Sequence, residues 1–245
     1  TISNIIASNA AGNVLRVVQP AWLYLWLVAS SGLSLLLLRG LPLMWRPPAA
    51  GEREPALRSL AEGFRFVASR RVLVGAVAVV AVTNFTGFTF ELFTPVFADE
   101  VLHAGPAGLG FLISAPSFGA LVIGIALTGL GTKLTRPGLW LLIAGTAQHV
   151  LTIVWSTATW LPASAAVLIV TGLFTFTFGT MNSNVFLAAT PDHMRGRVQG
   201  VQIFVIGVFP VSGLVVGVLA NEIGPQAAVR WMALGGLGVL ALLWF

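Results

Sequence analysis

Charge is what this chain has least of. Of its 245 residues only 9% are Asp, Glu, Lys or Arg, while 57% are hydrophobic. A soluble domain carries about 25% charged residues, and a water-facing surface cannot be covered with so few. A soluble globular protein is excluded, and an integral membrane protein is left. Cysteine is absent altogether, which excludes disulfides and zinc thiolate centres. Also lacking are a Gly-rich phosphate loop with its Lys, a His-Glu-x-x-His pair and a Ser–His–Asp set that can be placed together. No enzyme, cofactor or metal site is therefore expected. "DHMR" (Asp192–Arg195) offers one acid and one histidine with no third ligand. No cleavable signal peptide is visible. The first residue is Thr1 and both ends lie in apolar sequence, so the chain reads as a piece of a longer protein.

What the sequence has in quantity is long apolar runs. A bilayer core about 30 Å thick needs about 20 apolar residues per helix. Lipid admits only helices or closed barrels, and these runs are too long for barrel strands. Seven spans are expected, at Ala21–Trp45, Val72–Phe97, Gly108–Leu130, Gly138–Trp155, Ala163–Ala188, Val198–Ala220 and Ala227–Phe245. Thr1–Val18 reads as the end of a further, more polar helix. The expected fold is an all-α polytopic membrane bundle. It divides into 1–45, a linker 46–71 and a six-helix bundle 72–245.

The linkers carry the orientation. Net charge is +5, from 13 Lys and Arg against 8 Asp and Glu. In a soluble protein such basicity would point to nucleic acid. Here the basic residues fall between apolar runs, so the expected partners are the lipid bilayer and a small molecule, with no nucleic acid. Arg46, Arg53, Arg58, Arg65, Arg70 and Arg71 lie in one linker, Lys133 and Arg136 in a second, Arg195 and Arg197 in a third. The alternate linkers, 98–107, 156–162 and 221–226, hold Asp99, Glu100 and Glu222 and no Lys or Arg. Positive residues favour the cytoplasmic side, so linkers 46–71, 131–137 and 189–197 are expected to be cytoplasmic. Arg16 falls near an outer end and breaks the pattern.

Finer features follow. From Ala56, the residues Leu57, Leu60, Ala61, Phe64 and Val67 recur at helical spacing, with Arg58, Glu62 and Arg65 on the other face. This predicts an amphipathic helix on the inner surface, after Pro47, Pro48 and Pro55. A solvated connector is the other reading. Trp22, Trp45, Trp140, Trp155, Trp160 and Trp244 fall near span ends, where amphipathic rings favour the interface. "GNVLRVVQP" (Gly12–Pro20) and "GVLANEIGP" (Gly217–Pro225) share one Gly and one Pro in register, a slight internal repeat of the kind transporters use.

A long basic linker with "LAEGFRFVASRRVLVG" leads into a span with Asn84 and Pro95; "TPDHMRGRVQG" then precedes a Gly-rich helix, "VSGLVVGVLANEIGP". Together these resemble the second half of a major facilitator superfamily transporter. In the branch of bacterial exporters that includes enterobactin and macrolide efflux proteins, the transmembrane secretion effectors, one loop resembles P-x-x-x-R-G-R-V. Here that loop is Pro191, Arg195, Gly196, Arg197 and Val198. The loop "GTKLTRPG" keeps only part of the superfamily's Gly/Asp/Arg pattern and has no acidic residue. The resemblance implies helices five to twelve of a twelve-helix fold in a bacterial inner membrane. It also implies a central cavity shared with N-terminal helices of the same protein.

Candidate functional residues are few. Glu91 lies inside a span, where a carboxylate is costly and marks a functional hypothesis. Asn84, Phe88, Glu91 and Pro95 step by four, three and four, so they share one helix face. Glu91 stands seven residues before Ala98, about 10 Å from the outer end at the helical rise. Glu91 is read as a proton or substrate coupler, or else as an outer-vestibule carboxylate. Asn84 could hold substrate or bond a neighbouring helix. His149, beside Gln148, could relay protons or serve packing. Asn182 and Asn184 suit capping or an inner gate. The phenylalanines around 85–97 and 174–186 could wall a pocket for apolar compounds or face lipid. Gly213-x-x-x-Gly217 is expected to allow close helix contact, with a kink at Pro210. Asp192, Arg195, Gly196 and Arg197 are gate or loop candidates, with the arginines expected at helix C-termini, where cations are favoured.

The expected function is a secondary active transporter: a proton-driven exporter of small hydrophobic compounds such as drugs, macrolides or siderophores. The alternatives are a channel or scaffold outside that superfamily, or an inactive transporter fragment. Replacing both arginines, Arg195→Lys with Arg197→Lys, keeps the charge. A gate role predicts slowed transport in everted vesicles, and a topology role alone predicts unchanged rates.

Overall fold

Every described element is helical, as lipid demands of a backbone that must satisfy its own hydrogen bonds. The computed structural model describes residues 20–39, 56–130 and 135–244. The expected helix Thr1–Val18, Gly12 of the repeat, Arg46, Arg53 and Lys133 lie outside them. In chain order the helices are α1 (Pro20–Leu38), α2 (Ala56–Ala68), α3 (Arg71–Val82), α4 (Thr89–Val96) and α5 (Gly105–Leu130). Then come α6 (Pro137–Trp155), α7 (Leu161–Ala189), α8 (Arg195–Ile206), α9 (Phe209–Ile223) and α10 (Pro225–Leu243). Single π-helical turns occupy Thr83–Gly87 and Phe97–Val101, and a 3-10 turn occupies Asp192–Met194.

Among the described residues, six helical stretches are long and apolar enough to cross a bilayer: Arg71–Val101, Gly105–Gly129, Pro137–Trp155, Leu161–Ala189, Asp192–Ile223 and Pro225–Leu243. These are the first to sixth spans below, and the protein is a multi-pass membrane helical bundle. The earliest expected span, Ala21–Trp45, is represented by α1. Its apolar part, Tyr24–Leu38, covers only about 22 Å at the helical rise and falls short of the hydrocarbon core. Residues 40–55, where the rest of that span was expected, lie outside the described set.

Proline and glycine set the span ends. Proline stands in the first turn of α6, α7, α9 and α10, where its missing N–H costs nothing. Pro20 and Pro225, the repeat's two prolines, each open a helix. Gly224, at φ 84°, ends α9 in a conformation that other residues avoid and turns the chain into α10. The first span runs to Val101 rather than Phe97, because the second π turn carries Asp99 and Glu100 into the helix. The fifth span starts at Asp192 rather than Val198. "RGRVQG" is thus the opening of a helix, not a loop. Arg195 and Arg197 accordingly sit at a helix N-terminus, the opposite of the C-terminal setting expected for a cation. Acidic partners offset this. Asp192 pairs with Arg195 at 3.0 Å, and Glu62 of α2 pairs with Arg197 at 3.3 Å.

Two apolar clusters fill the bundle. One joins Val67, Leu73, Val80, Leu141, Phe178 and Val198. The other joins Phe90, Phe97, Trp155, Leu168, Val216 and Val229. Trp155 is not the interfacial residue its position suggests. It is fully buried, stacks on Phe97 at 4.0 Å and donates its indole N–H to Ser164 Oγ at 2.8 Å. Trp22, Trp160 and Trp244 are exposed, as interface residues would be. The amphipathic helix expected from Ala56 is α2. It seats on α8: Gly63 lies against the Arg197 carbonyl, and Phe64 meets Phe204 edge to face at 5.6 Å.

The tightest helix crossing joins the second and fourth spans. A methyl added at Gly119 would overlap the Ile169 carbonyl, and one at Gly172 would overlap the Pro116 carbonyl. The close contact expected at Gly213 and Gly217 is not found among the described residues. Gly213 meets only Leu92, at 3.5 Å from the added carbon, and nothing lies within 4 Å at Gly217. Gly172→Ala should lower stability by about 1–3 kcal/mol, as overpacking does, whereas Gly217→Ala should leave it level or slightly raise it. Thermal unfolding in detergent, followed by tryptophan fluorescence, separates the two.

Candidate functional site

Glu91 sits in the first turn of α4, just past the π turn Thr83–Gly87. That turn closes with the Phe88 N–H donating to the Thr83 carbonyl at 3.2 Å, one residue wider than an α turn. Such insertions shift the register of everything that follows and recur at functional sites. With the span ending at Val101, Glu91 stands ten residues from its end, about 15 Å by the helical rise and deeper than the sequence boundary implied. Its carboxylate is exposed to a cleft and has no ion-pair or hydrogen-bond partner among the described residues.

The cleft has a volume of about 530 Å³. Its walls come from the second span (Pro116, Ser117, Ala120) and the fourth (Thr175, Phe176, Thr180). A second recess of about 370 Å³ opens on the other side of Glu91, with Asn84, Phe88, Gly207 and Phe209 around it. Asn84, Phe88 and Glu91 therefore do share a face across the π turn, while Pro95 lines neither recess. Asn84 is largely buried, and its amide N–H donates to the Val80 carbonyl at 2.9 Å. Phe88 rests edge to face on Phe178 and Phe209. Pro210 has no N–H to offer the Ile206 carbonyl, and the fifth span breaks at Gly207–Val208 beside this recess.

From the cleft, a row of polar side chains leads toward Arg195. Ser183 borders both the Glu91 cleft and a smaller pocket with Thr190, Arg195, Gln199 and Gln202. Walls of these recesses come from the first, second, fourth and fifth spans, and none from the third or sixth. Within this row, Ser117, Thr175, Thr180 and Ser183 were legible as hydroxyls inside apolar runs, yet their common face was not. Gly196 is exposed at the start of α8, and an added methyl there would meet nothing within 4 Å. Asn182 is buried in the fourth span and Asn184 is exposed.

His149 is not part of the cleft. It is fully buried among the first, third and sixth spans. Its Nδ1 lies 2.7 Å from the Gly145 carbonyl and its Nε2 lies 2.8 Å from Thr86 Oγ1. Thr86 Oγ1 also lies 2.7 Å from the Val82 carbonyl. In a neutral ring the Nδ1–H donates to Gly145, so one threonine proton serves both Nε2 and Val82. A methyl at Gly236 would overlap both Thr86 and His149, so the three spans interlock here. Its neighbour Gln148 is equally buried, but neither amide atom finds a partner among the described residues. Arg230, near the acidic end of the sixth span, was overlooked in the charge pattern. It donates from Nε to Ser156 Oγ at 3.2 Å, tying the sixth span to the end of the third.

No family model, curated protein or solved structure matches this chain. Residues and geometry carry the functional argument.

The neighbouring pair 148/149 gives a direct check of what polar groups do in this bundle. His149→Leu removes the bond between the first and third spans, while Thr86 keeps its bond to the Val82 carbonyl, and should cost about 0.5–1.5 kcal/mol; Gln148→Leu removes unpaired groups and should be neutral or stabilising. Melting temperatures of the two variants in one detergent provide the comparison.

Proposed function

We propose that the chain is the larger part of a secondary active transporter of the major facilitator type. It exchanges protons for small, largely apolar compounds, such as drugs, macrolides or siderophores, by alternating access. The observation that carries this reading is Glu91, a carboxylate well inside a span that opens on a cleft and has no cation beside it among the described residues. A charge at that depth is costly unless water or a proton relieves it. Proton binding neutralises the group when the cleft is dry, and proton release suits the open, wetted state. Ser117 and Thr180 line the same cleft and offer hydroxyl oxygens to a polar group there, and Phe88, Phe176 and Phe209 supply apolar wall for a greasy substrate.

Further support comes from the arrangement of spans. Four of the six line the recesses and two stand apart from them. A second bundle laid across the lined face would turn it into a central cavity, which is where the resemblance puts the protein's N-terminal helices. The π turn beside Asn84 and the break at Gly207–Val208 flank one recess and give the lining helices places to bend. Arg70, Arg71, Arg136, Arg195 and Arg197 gather at one end of the bundle, which this reading makes cytoplasmic in a bacterial inner membrane. There the Arg197–Glu62 pair and the Gly63 contact would hold α2 against the moving fifth span.

The test is substrate-driven proton movement in everted vesicles carrying the whole protein, against a panel of apolar compounds. Glu91→Gln should bring proton movement to background while Glu91→Asp retains part of it. Unchanged exchange in Glu91→Gln would end the proposal, and downhill substrate flux with no proton movement in the unaltered protein would indicate a channel.

A further inference from the structure

At the basic end of the bundle, on a face away from Glu91, the first, third and fourth spans leave a cleft of about 600 Å³. Arg70 and Arg71 stand at its mouth, Pro137 and Gly138 on one wall, and Val185 and Ala188 on the other. A narrower groove of about 220 Å³ adjoins it and shares Arg71, Val72, Gly138 and Val185. The groove is apolar beyond Arg71, lined by Gly75, Ala76, Val79, Leu141 and Leu142. Neither space shares a lining residue with the Glu91 recesses.

We propose that this cleft and groove bind one anionic phospholipid, with its phosphate at Arg70 and Arg71 and part of an acyl chain between Gly75 and Gly138. The charge is of one sign. No acidic residue lines either space, and no acid pairs with Arg70, Arg71 or Arg136 among the described residues. The Arg70 guanidinium lies 5.5 Å over the Phe66 ring, which steadies it beside the mouth. Both helices that begin here, α3 and α6, lack a side-chain cap, so their first-turn N–H groups are left to other acceptors. Phosphate oxygens at that level would accept from these groups and from the guanidinium. A basic pocket between spans at the membrane surface is the setting in which acidic headgroups are held.

Glycine makes the tail groove. An added methyl at Gly75 or at Gly138 would meet nothing within 4 Å, so the first and third spans stand apart there. From Arg71 to Val79 the groove follows the first span for eight residues, about 12 Å at the helical rise. That length runs from headgroup level into the hydrocarbon. A soluble anion would use only the mouth, and a zwitterionic lipid would bring no net charge to two arginines. The geometry therefore favours an anionic lipid over both.

The experiment is native mass spectrometry of the purified full chain, delipidated and offered equal amounts of dioleoyl phosphatidylglycerol and phosphatidylcholine. Retention of phosphatidylglycerol should exceed that of phosphatidylcholine by about thirtyfold, as expected for two basic side chains at a lipid surface. Arg70→Gln with Arg71→Gln should abolish the preference. Gly138→Phe, which keeps every charge and places its ring in open space, should lower phosphatidylglycerol retention. Arg58→Gln, on α2 outside the cleft, should leave it unchanged. Equal retention of the two lipids would overturn the proposal, as would persistence of the preference in the double variant or full retention in Gly138→Phe. So would a loss in Arg58→Gln as large as in the double variant, since general surface charge would then be the cause. Displacement of the lipid by glycerol phosphate alone, at equal concentration, would assign the site to soluble phosphates and refute the lipid.

Discussion

The second and fourth spans touch backbone to backbone at Gly119 and Gly172. Between helices in lipid there is little hydrophobic force to draw them together, so close packing of small residues has to supply the attraction. Much of the candidate site depends on this contact. Pro116, Ser117 and Ala120 on one side and Gly172, Thr175 and Phe176 on the other form two walls of the Glu91 cleft. The cleft is the space left where two helices meet tightly and then part. A wider crossing would separate the hydroxyls from the carboxylate.

Apart from a few groups such as Gln148 that are buried with no partner among the described residues, the polar groups of this bundle divide by their surroundings. His149, Thr86, Trp155 and Ser164 are buried between spans and bonded to one another or to backbone carbonyls. They fix how the spans sit, because an unpaired polar group there is costly. Glu91 and the hydroxyls near it line open recesses instead. Charge at the membrane edge divides in the same way. Arg195 and Arg197 are paired with acids, and Arg197 ties α2 to the fifth span. Arg70 and Arg71 stand at an open cleft with no acid. All four satisfy the same topological rule, and their surroundings assign them different work.

Much of the architecture could be read in advance. Helical class, the positions of the six long spans and the amphipathic helix from Ala56 follow from apolar length and period, which neighbouring helices need not be known to judge. The shared face of Asn84, Phe88 and Glu91 was also legible. The errors have one source. Trp155 looked interfacial because it lies at a span end, but its ring is buried inside the bundle and stacks on Phe97. Gly213 and Gly217 fit a packing motif, but the helices that cross most closely carry their glycines at 119 and 172. His149 was open to a proton relay or to packing, and its buried bonds to Gly145 and Thr86 are those of a packing residue.

The sequence by itself determined that this chain lives in a bilayer, roughly where it crosses and which ends are basic. Those properties are sums over residues: apolar length against membrane thickness, and charge in the gaps. Tertiary structure alone decided which polar residues share a space and which glycines touch. It also decided that "RGRVQG" opens a helix held by Glu62 rather than forming a loop. Such outcomes depend on crossing angles and on the π turn at Thr83–Gly87, where one inserted residue resets the register. No local pattern encodes them, because each is fixed by the shape of a neighbour distant in the chain.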